Sequence, residues 1–278
     1  MSLKQLKLTD AQIELSTRGQ PLRGSMEIRN FPLIGRILYL ALLALLGEST
    51  NASLVVSNFN IKSGAAVVRL ECYNKAEKSR FLSLGGVLNT QTDAISDIVL
   101  VAAHALSSKL DQCVVSFKDQ QLDIARAEMG LGTDASGDWA VLTLDGRFTG
   151  PVNRLEWYGG SATSWETFAL NGGRVSVLKF LNGDSGKSCD VRIPKGGLVD
   201  PNDGDAVIVS DCISMPGMSG APALVEVEGV PTIIGLNIGT RHAIGGASDL
   251  WRSRVSVIRL VDTKVEEAID RAISRERR

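Results

Sequence analysis

From residue 53 onward, apolar positions fall in short runs of β-type residues. Val, Ile, Leu and Phe dominate the runs; Gly, Asn, Asp and Ser separate them. The first series is Ser53–Asn58, Ala65–Cys72, Phe81–Leu88, Ile98–Ala102, Cys113–Phe117 and Trp139–Leu144. A less ordered stretch around Arg147–Gly160 follows. The second series is Thr167–Leu170, Arg174–Phe180, Asp190–Ile193, Ala206–Ser210, Ala223–Val227, Thr232–Ile238 and Val255–Ile258. Two sets of about six short strands predict an all-β chain of two six-stranded antiparallel barrels joined by a linker. The period then changes. Over Asp262–Ser274, Val265, Ala268, Ile269, Ala272 and Ile273 share one helical face, which predicts a C-terminal α-helix capped by Asp262 or Thr263. The first barrel is expected over 53–150 and the second, with the helix, over 151–278.

The first 52 residues have a different texture. Ile37–Leu46 is an unbroken apolar run of ten, ILYLALLALL, with Arg29 and Arg36 before it. A membrane-spanning helix needs about 20 residues, so the run is short for one, but it suits the apolar region of a secretory signal. Thr50 and Ala52 are small enough for a signal-peptidase cut after Ala52. The 36 residues before the run are many for a signal, and a start at Met26 would give an ordinary leader. An uncleaved membrane anchor through 37–46 and a helix packed on the domain are the other readings. Residues 1–52 are therefore treated as a leader, with a secreted or periplasmic location expected.

Composition adds limits. The 30 basic and 31 acidic side chains nearly cancel, leaving no basic field for nucleic acid or an anionic membrane surface. The 28 glycines against 8 prolines fit many tight turns. Cys72, Cys113, Cys189 and Cys212 include no C-x-x-C pair, so neither a zinc site nor a dithiol redox motif is expected. Four cysteines allow three disulfide connectivities or four free thiols. Pairing within each half of the chain would give Cys72–Cys113 and Cys189–Cys212.

Only two histidines occur, His104 and His242, so any mechanism that needs imidazole must use one of them. His104 ends the segment Ile98-Val99-Leu100-Val101-Ala102-Ala103-His104, a β-run closed by two small residues. Asp138 opens Asp138-Trp139-Ala140-Val141-Leu142, an acid leading into an apolar strand. Ser219 lies in Pro216-Gly217-Met218-Ser219-Gly220-Ala221-Pro222, where glycines permit a tight turn with amide N–H groups pointing into one hollow. A serine hydroxyl needs a base to take its proton and donors to hold the oxyanion.

These three segments resemble the T-A-A-H, D-[IW]-A-[LV]-L and G-x-S-G-x-P motifs of trypsin-like (chymotrypsin-fold) serine peptidases, in the family's order. His104 and Asp138 are 34 residues apart, and Asp138 and Ser219 are 81 apart, room enough to finish one barrel and build most of another. The resemblance covers about Ser53 to the C-terminus. It implies a triad of His104, Asp138 and Ser219, and an oxyanion hollow made by the amides of Gly217 and Ser219. It also implies an acyl-enzyme route to peptide-bond hydrolysis, protein or peptide substrates, and no cofactor or metal. Val101 replaces the usual Thr. Met218 replaces the acid that pairs with a newly cut N-terminus in pancreatic-type members, so the loop is expected to form without activation cleavage. Ile213, six residues before the nucleophile, is expected at the base of the specificity pocket. The strand Gly235–Gly239 resembles the substrate-pairing strand, which implicates Asn237 and Gly239.

Rival residues and readings are weaker. Gly183-Asp184-Ser185-Gly186 spells a commoner nucleophile loop, but only 47 residues separate Ser185 from Asp138. Asp134 and Asp145 lack the following strand pattern, and His242 reads as a loop residue beside Arg241. An α/β-hydrolase would need G-x-S-x-G and the order Ser, acid, His. Ala221 takes the last glycine position here, and the histidine comes first. The alternative function is a non-catalytic binding module on the same double barrel.

Overall fold

The order of strands fixes the architecture. The computed structural model describes residues 66–74, 78–90, 94–106, 110–131, 134–150, 152–177, 188–193, 206–227, 229–241 and 255–276. All of them belong to one unit, Leu54–Arg278. The leader, the Ser53–Asn58 run, Ser185 and His242 lie outside the described residues.

Six strands make the first barrel: β1 (Val67–Asn74), β2 (Ser79–Val87), β3 (Ile98–Val101), β4 (Cys113–Phe117), β5 (Gln120–Met129) and β6 (Ala140–Leu144). They close in the order β1-β2-β3-β6-β5-β4, every pair antiparallel. Alternation dictates which side chains point inward. Val68, Leu70 and Cys72 of β1 are buried in one core with Cys113, Val115 and Phe117 of β4. β3 reads as a continuous apolar run because both its faces are covered. Val99 and Val101 fill the first barrel, while Ile98 and Leu100 join the second core.

The second barrel contains β8 (Arg174–Val177), β9 (Ser188–Arg192), β10 (Val207–Ser210), β11 (Pro222–Val227), β12 (Val230–Arg241) and β13 (Val255–Leu260). Their order is β11-β8-β9-β10-β13-β12, and β11 pairs with β12 to close the ring. A two-residue strand, β7 (Glu156–Trp157), lies parallel against β12. The C-terminal helix, α2 (Thr263–Glu276), is capped by the Asp262 carboxylate, which accepts from the Val265 N–H at 3.1 Å. Its apolar face sinks Val265, Ala268, Ile269 and Ala272 into the second core. Arg271 pairs with Glu128 on β5, so the helix also reaches the first barrel.

The expected fold class is borne out, with particular differences. β5 escaped the pattern because QQLDIARAEM shows only a weak alternation, half-buried against exposed, broken by a bulge between Ile124 and Arg126. Thr167–Leu170 is not a strand. It ends a helix, α1 (Ala162–Leu170), whose cap is the Ser161 hydroxyl accepting from the Ser164 N–H. Trp165 and Phe168, three apart on that helix, meet edge to face in the second core. The two disulfides are Cys72–Cys113, across paired positions of β1 and β4, and Cys189–Cys212, from β9 to the turn after β10.

Candidate active site

Asp138 follows a short 3-10 turn, Ala135–Gly137. Asp134 shapes that turn: its carboxylate accepts from the Gly137 N–H at 2.9 Å and from the Ser136 hydroxyl at 2.7 Å. These two bonds hold its pKa below the usual carboxylate value. Asp134, a rival acid in the sequence, thus builds the turn that presents Asp138. Asp145 pairs through its backbone N–H with the carbonyl of Asp123, away from that turn.

His104 sits in a second 3-10 turn, Ala103–Ala105, directly after β3. Two bonds join it to Asp138. The His104 backbone N–H donates to Oδ1 at 2.9 Å, and the ring Nδ1 lies 2.7 Å from Oδ2. Both carboxylate oxygens are therefore committed to one residue. With Nδ1 carrying the proton, Nε2 is the basic ring nitrogen. Asp138 raises the His104 pKa above its ordinary value, against the opposing effect of partial burial. The Asp138 side chain is 16% exposed and that of His104 47%, so the ring opens to solvent while its partner is sheltered.

The Ser219 loop is two consecutive turns that share Met218. In the first, the Met218 N–H donates to the Met215 carbonyl; in the second, the Ala221 N–H donates to the Met218 carbonyl. Each turn has glycine with positive φ at its third position, Gly217 at +85° and Gly220 at +77°. Pro216 precedes Gly217, which is the residue pattern of a type II turn. The Met218 side chain is buried in the second core, so apolar burial anchors the loop. Both turns of the loop are formed in this structure.

Bonds to β2 and to Asn237 set the direction of the loop's peptides. The Ser219 carbonyl accepts from the Leu84 N–H at 2.8 Å and the Ser83 hydroxyl at 2.6 Å, both on β2 of the first barrel. Asn237 Nδ2 donates to the Met218 carbonyl at 2.9 Å and to the Ser214 hydroxyl at 2.9 Å. The Met218 carbonyl and the Ser219 N–H belong to one trans peptide, so fixing the first aims the second. The N–H groups of Gly217 and Ser219 have no acceptor among the described residues. A Cβ added at Gly220 would lie 3.1 Å from the backbone nitrogen of Ala102, two residues before His104. The serine loop is therefore seated against the strand end that carries the histidine.

The remaining sequence candidates fall in different surroundings. Asn237 is fully buried beneath the loop, and its Oδ1 has no partner among the described residues. Ile213 is a surface side chain, 67% exposed. Gly239 lies on β12 beyond the reach of β11, whose pairing with β12 stops at Pro222↔Leu236. On that edge no described strand lies beside Ile238 and Gly239. Arg259 was missed in the sequence. It reads as one charge in an apolar strand, yet it is buried next to the Asp138 turn.

A solved structure, that of Protease Anisep from Arthrobacter nicotinovorans, superposes on this chain with a TM-score of 0.51. The match covers 76% of this chain and 96% of the other, at 11% sequence identity. The fold is the trypsin-like double barrel. No protein-family model matches the chain, and no curated protein sequence matches it. The likeness is thus one of fold.

Proposed function

We propose that the chain is a serine endopeptidase acting through His104, Asp138 and Ser219. The observation that carries this reading is the His104–Asp138 pair, bonded through both carboxylate oxygens, beside a Ser219 loop seated on the same barrel. Neutral His104 takes the hydroxyl proton of Ser219 at Nε2 as Oγ attacks the peptide carbonyl carbon. The N–H groups of Gly217 and Ser219 donate to the oxyanion that forms. His104 then gives the proton to the leaving amine, leaving an acyl-enzyme ester on Ser219. Water, activated by His104 in turn, hydrolyses that ester. Asp138 holds the ring and offsets its charge while it carries the extra proton.

The substrate is an extended peptide lying along β12 at Ile238 and Gly239, on the edge that no described strand covers, where backbone groups give a strand-addition mode. Ile213 and Asn237 are proposed to shape the site for the side chain next to the cut, Ile213 as an exposed apolar contact and Asn237 from beneath the Ser219 loop. The two disulfides suit an oxidising compartment, which together with the apolar run at 37–46 favours an exported protein.

A fluorophosphonate probe, which reacts with activated serines, tests the nucleophile. Labelling is expected in the wild type and in Ser185→Ala, and absent in Ser219→Ala. Labelling that survives Ser219→Ala would overturn the assignment. A folded wild type that stays unlabelled would favour a non-catalytic binding module on the same fold.

A further inference from the structure

Arg259 is the one charged residue of β13, Val255–Leu260, and it is 1% exposed. A buried guanidinium is costly unless its donors are satisfied and its charge is matched. Here the donors diverge. Nε donates to the Ser136 carbonyl at 2.6 Å, Nη1 to the Leu260 carbonyl, and Nη2 to the Asp262 carboxylate at 2.9 Å. Ser136 is in the short turn that ends at Asp138. Asp262 is the cap of α2. One side chain thus ties the acid-bearing turn of the first barrel to the last strand and terminal helix of the second.

We propose that Arg259 is a positioning residue for Asp138, fixing from the second barrel the turn that presents this carboxylate to His104. The inference rests on reading Asp138 as the triad acid. Arg259 does not touch that carboxylate, whose two oxygens are both taken by His104. It acts through the Ser136 carbonyl two residues earlier and through its charge. Three acids face it: Asp262 in contact, with Asp134 and Asp138 close enough to favour its charged form against burial. A purely structural filler at this position of a barrel strand would be another Val, Ile or Leu, like its neighbours on β13.

The test compares rates of fluorophosphonate labelling, across pH, for the full-length wild type, Arg259→Gln and Arg259→Lys. Arg259→Gln is expected to label at least about tenfold more slowly, as misplaced catalytic groups do. Its pH midpoint should rise, because without the cation the Asp138 charge holds the proton on His104 more firmly. Arg259→Lys keeps the charge but cannot reproduce the divergent donors. It should recover the midpoint and only part of the rate. Wild-type rate and midpoint in Arg259→Gln would overturn the proposal. If Arg259→Gln does not fold, Arg259→Lys decides: a slower rate at the wild-type midpoint supports the role, and an unchanged rate overturns it. A wild type that does not label would instead overturn the peptidase reading itself.

Discussion

The carbonyl oxygen of Leu84 occupies the space that a side chain on Gly220 would need. A Cβ built at Gly220 would lie 2.0 Å from that oxygen, far inside contact distance. Two barrels meet there: Leu84 is on β2, and Gly220 follows Ser219 in the loop before β11. The adjacent Leu84 N–H holds the Ser219 carbonyl, so backbone of one barrel carries the Ser219 loop of the other.

Gly220→Ala is therefore expected to unseat this loop. The substitution combines a backbone clash with a φ of +77°, which side-chain-bearing residues adopt at a cost. A loss of about 2 kcal/mol or more is expected, with much reduced serine labelling. Thermal unfolding and probe labelling of the variant check both parts. Wild-type values for both would mean that the loop can shift off β2 freely.

The His104–Asp138 pair predicts a pH profile. Asp138 raises the histidine pKa above the ordinary 6.5. The base form is neutral imidazole, so activity should rise with pH through a midpoint above that value. Stability runs the other way. The ion pair contributes fully below the ordinary pKa and its contribution is lost as pH climbs through the raised one. Asp138→Asn should lower the midpoint and cut the maximal rate by roughly 10³- to 10⁴-fold, with the fold retained. Rate against pH for both proteins measures this. An unmoved midpoint in Asp138→Asn would remove Asp138 from the triad.

Much of this architecture was legible in the chain, and the exceptions have physical causes. β3, β4, β6 and β13 are apolar enough that pattern alone finds them, because their side chains are buried on one or both faces. β5 is half-solvated and bulged, so its residues carry little hydrophobic signal. The helix α1 looks like a strand in its last four residues, since Thr, Phe, Ala and Leu fit either; the Ser161 cap decides it. His104, Asp138 and Ser219 were readable as motifs because each depends on its immediate neighbours. Arg259, Ser83 and Leu84 were not. Their importance comes from contacts 123, 136 and 135 residues away in sequence, which no local pattern records.

The disulfides predict a dependence on redox conditions. Cys72–Cys113 spans 41 residues and Cys189–Cys212 spans 23. By loop-closure entropy each would stabilise the fold by roughly 3 to 4 kcal/mol. Cys72→Ser/Cys113→Ser and Cys189→Ser/Cys212→Ser variants should each lower the thermal midpoint. The second pair lies close to the Ser219 loop, because the Ser256 hydroxyl bonds the Cys212 carbonyl and Ser214 begins the contacts with Asn237. Its loss should also slow serine labelling, whereas loss of Cys72–Cys113 should not. Equal effects of the two variants on labelling would contradict this division.

Asn237 offers the sharpest separation of catalysis from binding. Its Nδ2 holds the Met218 carbonyl, and the same peptide unit carries the Ser219 N–H that would donate to the oxyanion. Asn237→Leu keeps the volume but leaves that carbonyl and the Ser214 hydroxyl without this donor. A stability loss of about 1–3 kcal/mol is expected from the two lost buried hydrogen bonds, although the Met218 carbonyl keeps the Ala221 N–H. The catalytic consequence is more specific. A misaimed oxyanion donor weakens the transition state and not the ground state, so kcat should fall while KM changes little. Complete loss of one such donor costs roughly 10²- to 10³-fold, which sets the upper limit here. Steady-state kinetics on a peptide substrate would measure the split. A raised KM at unchanged kcat would make Asn237 a substrate-contacting residue instead of a support for the oxyanion donor.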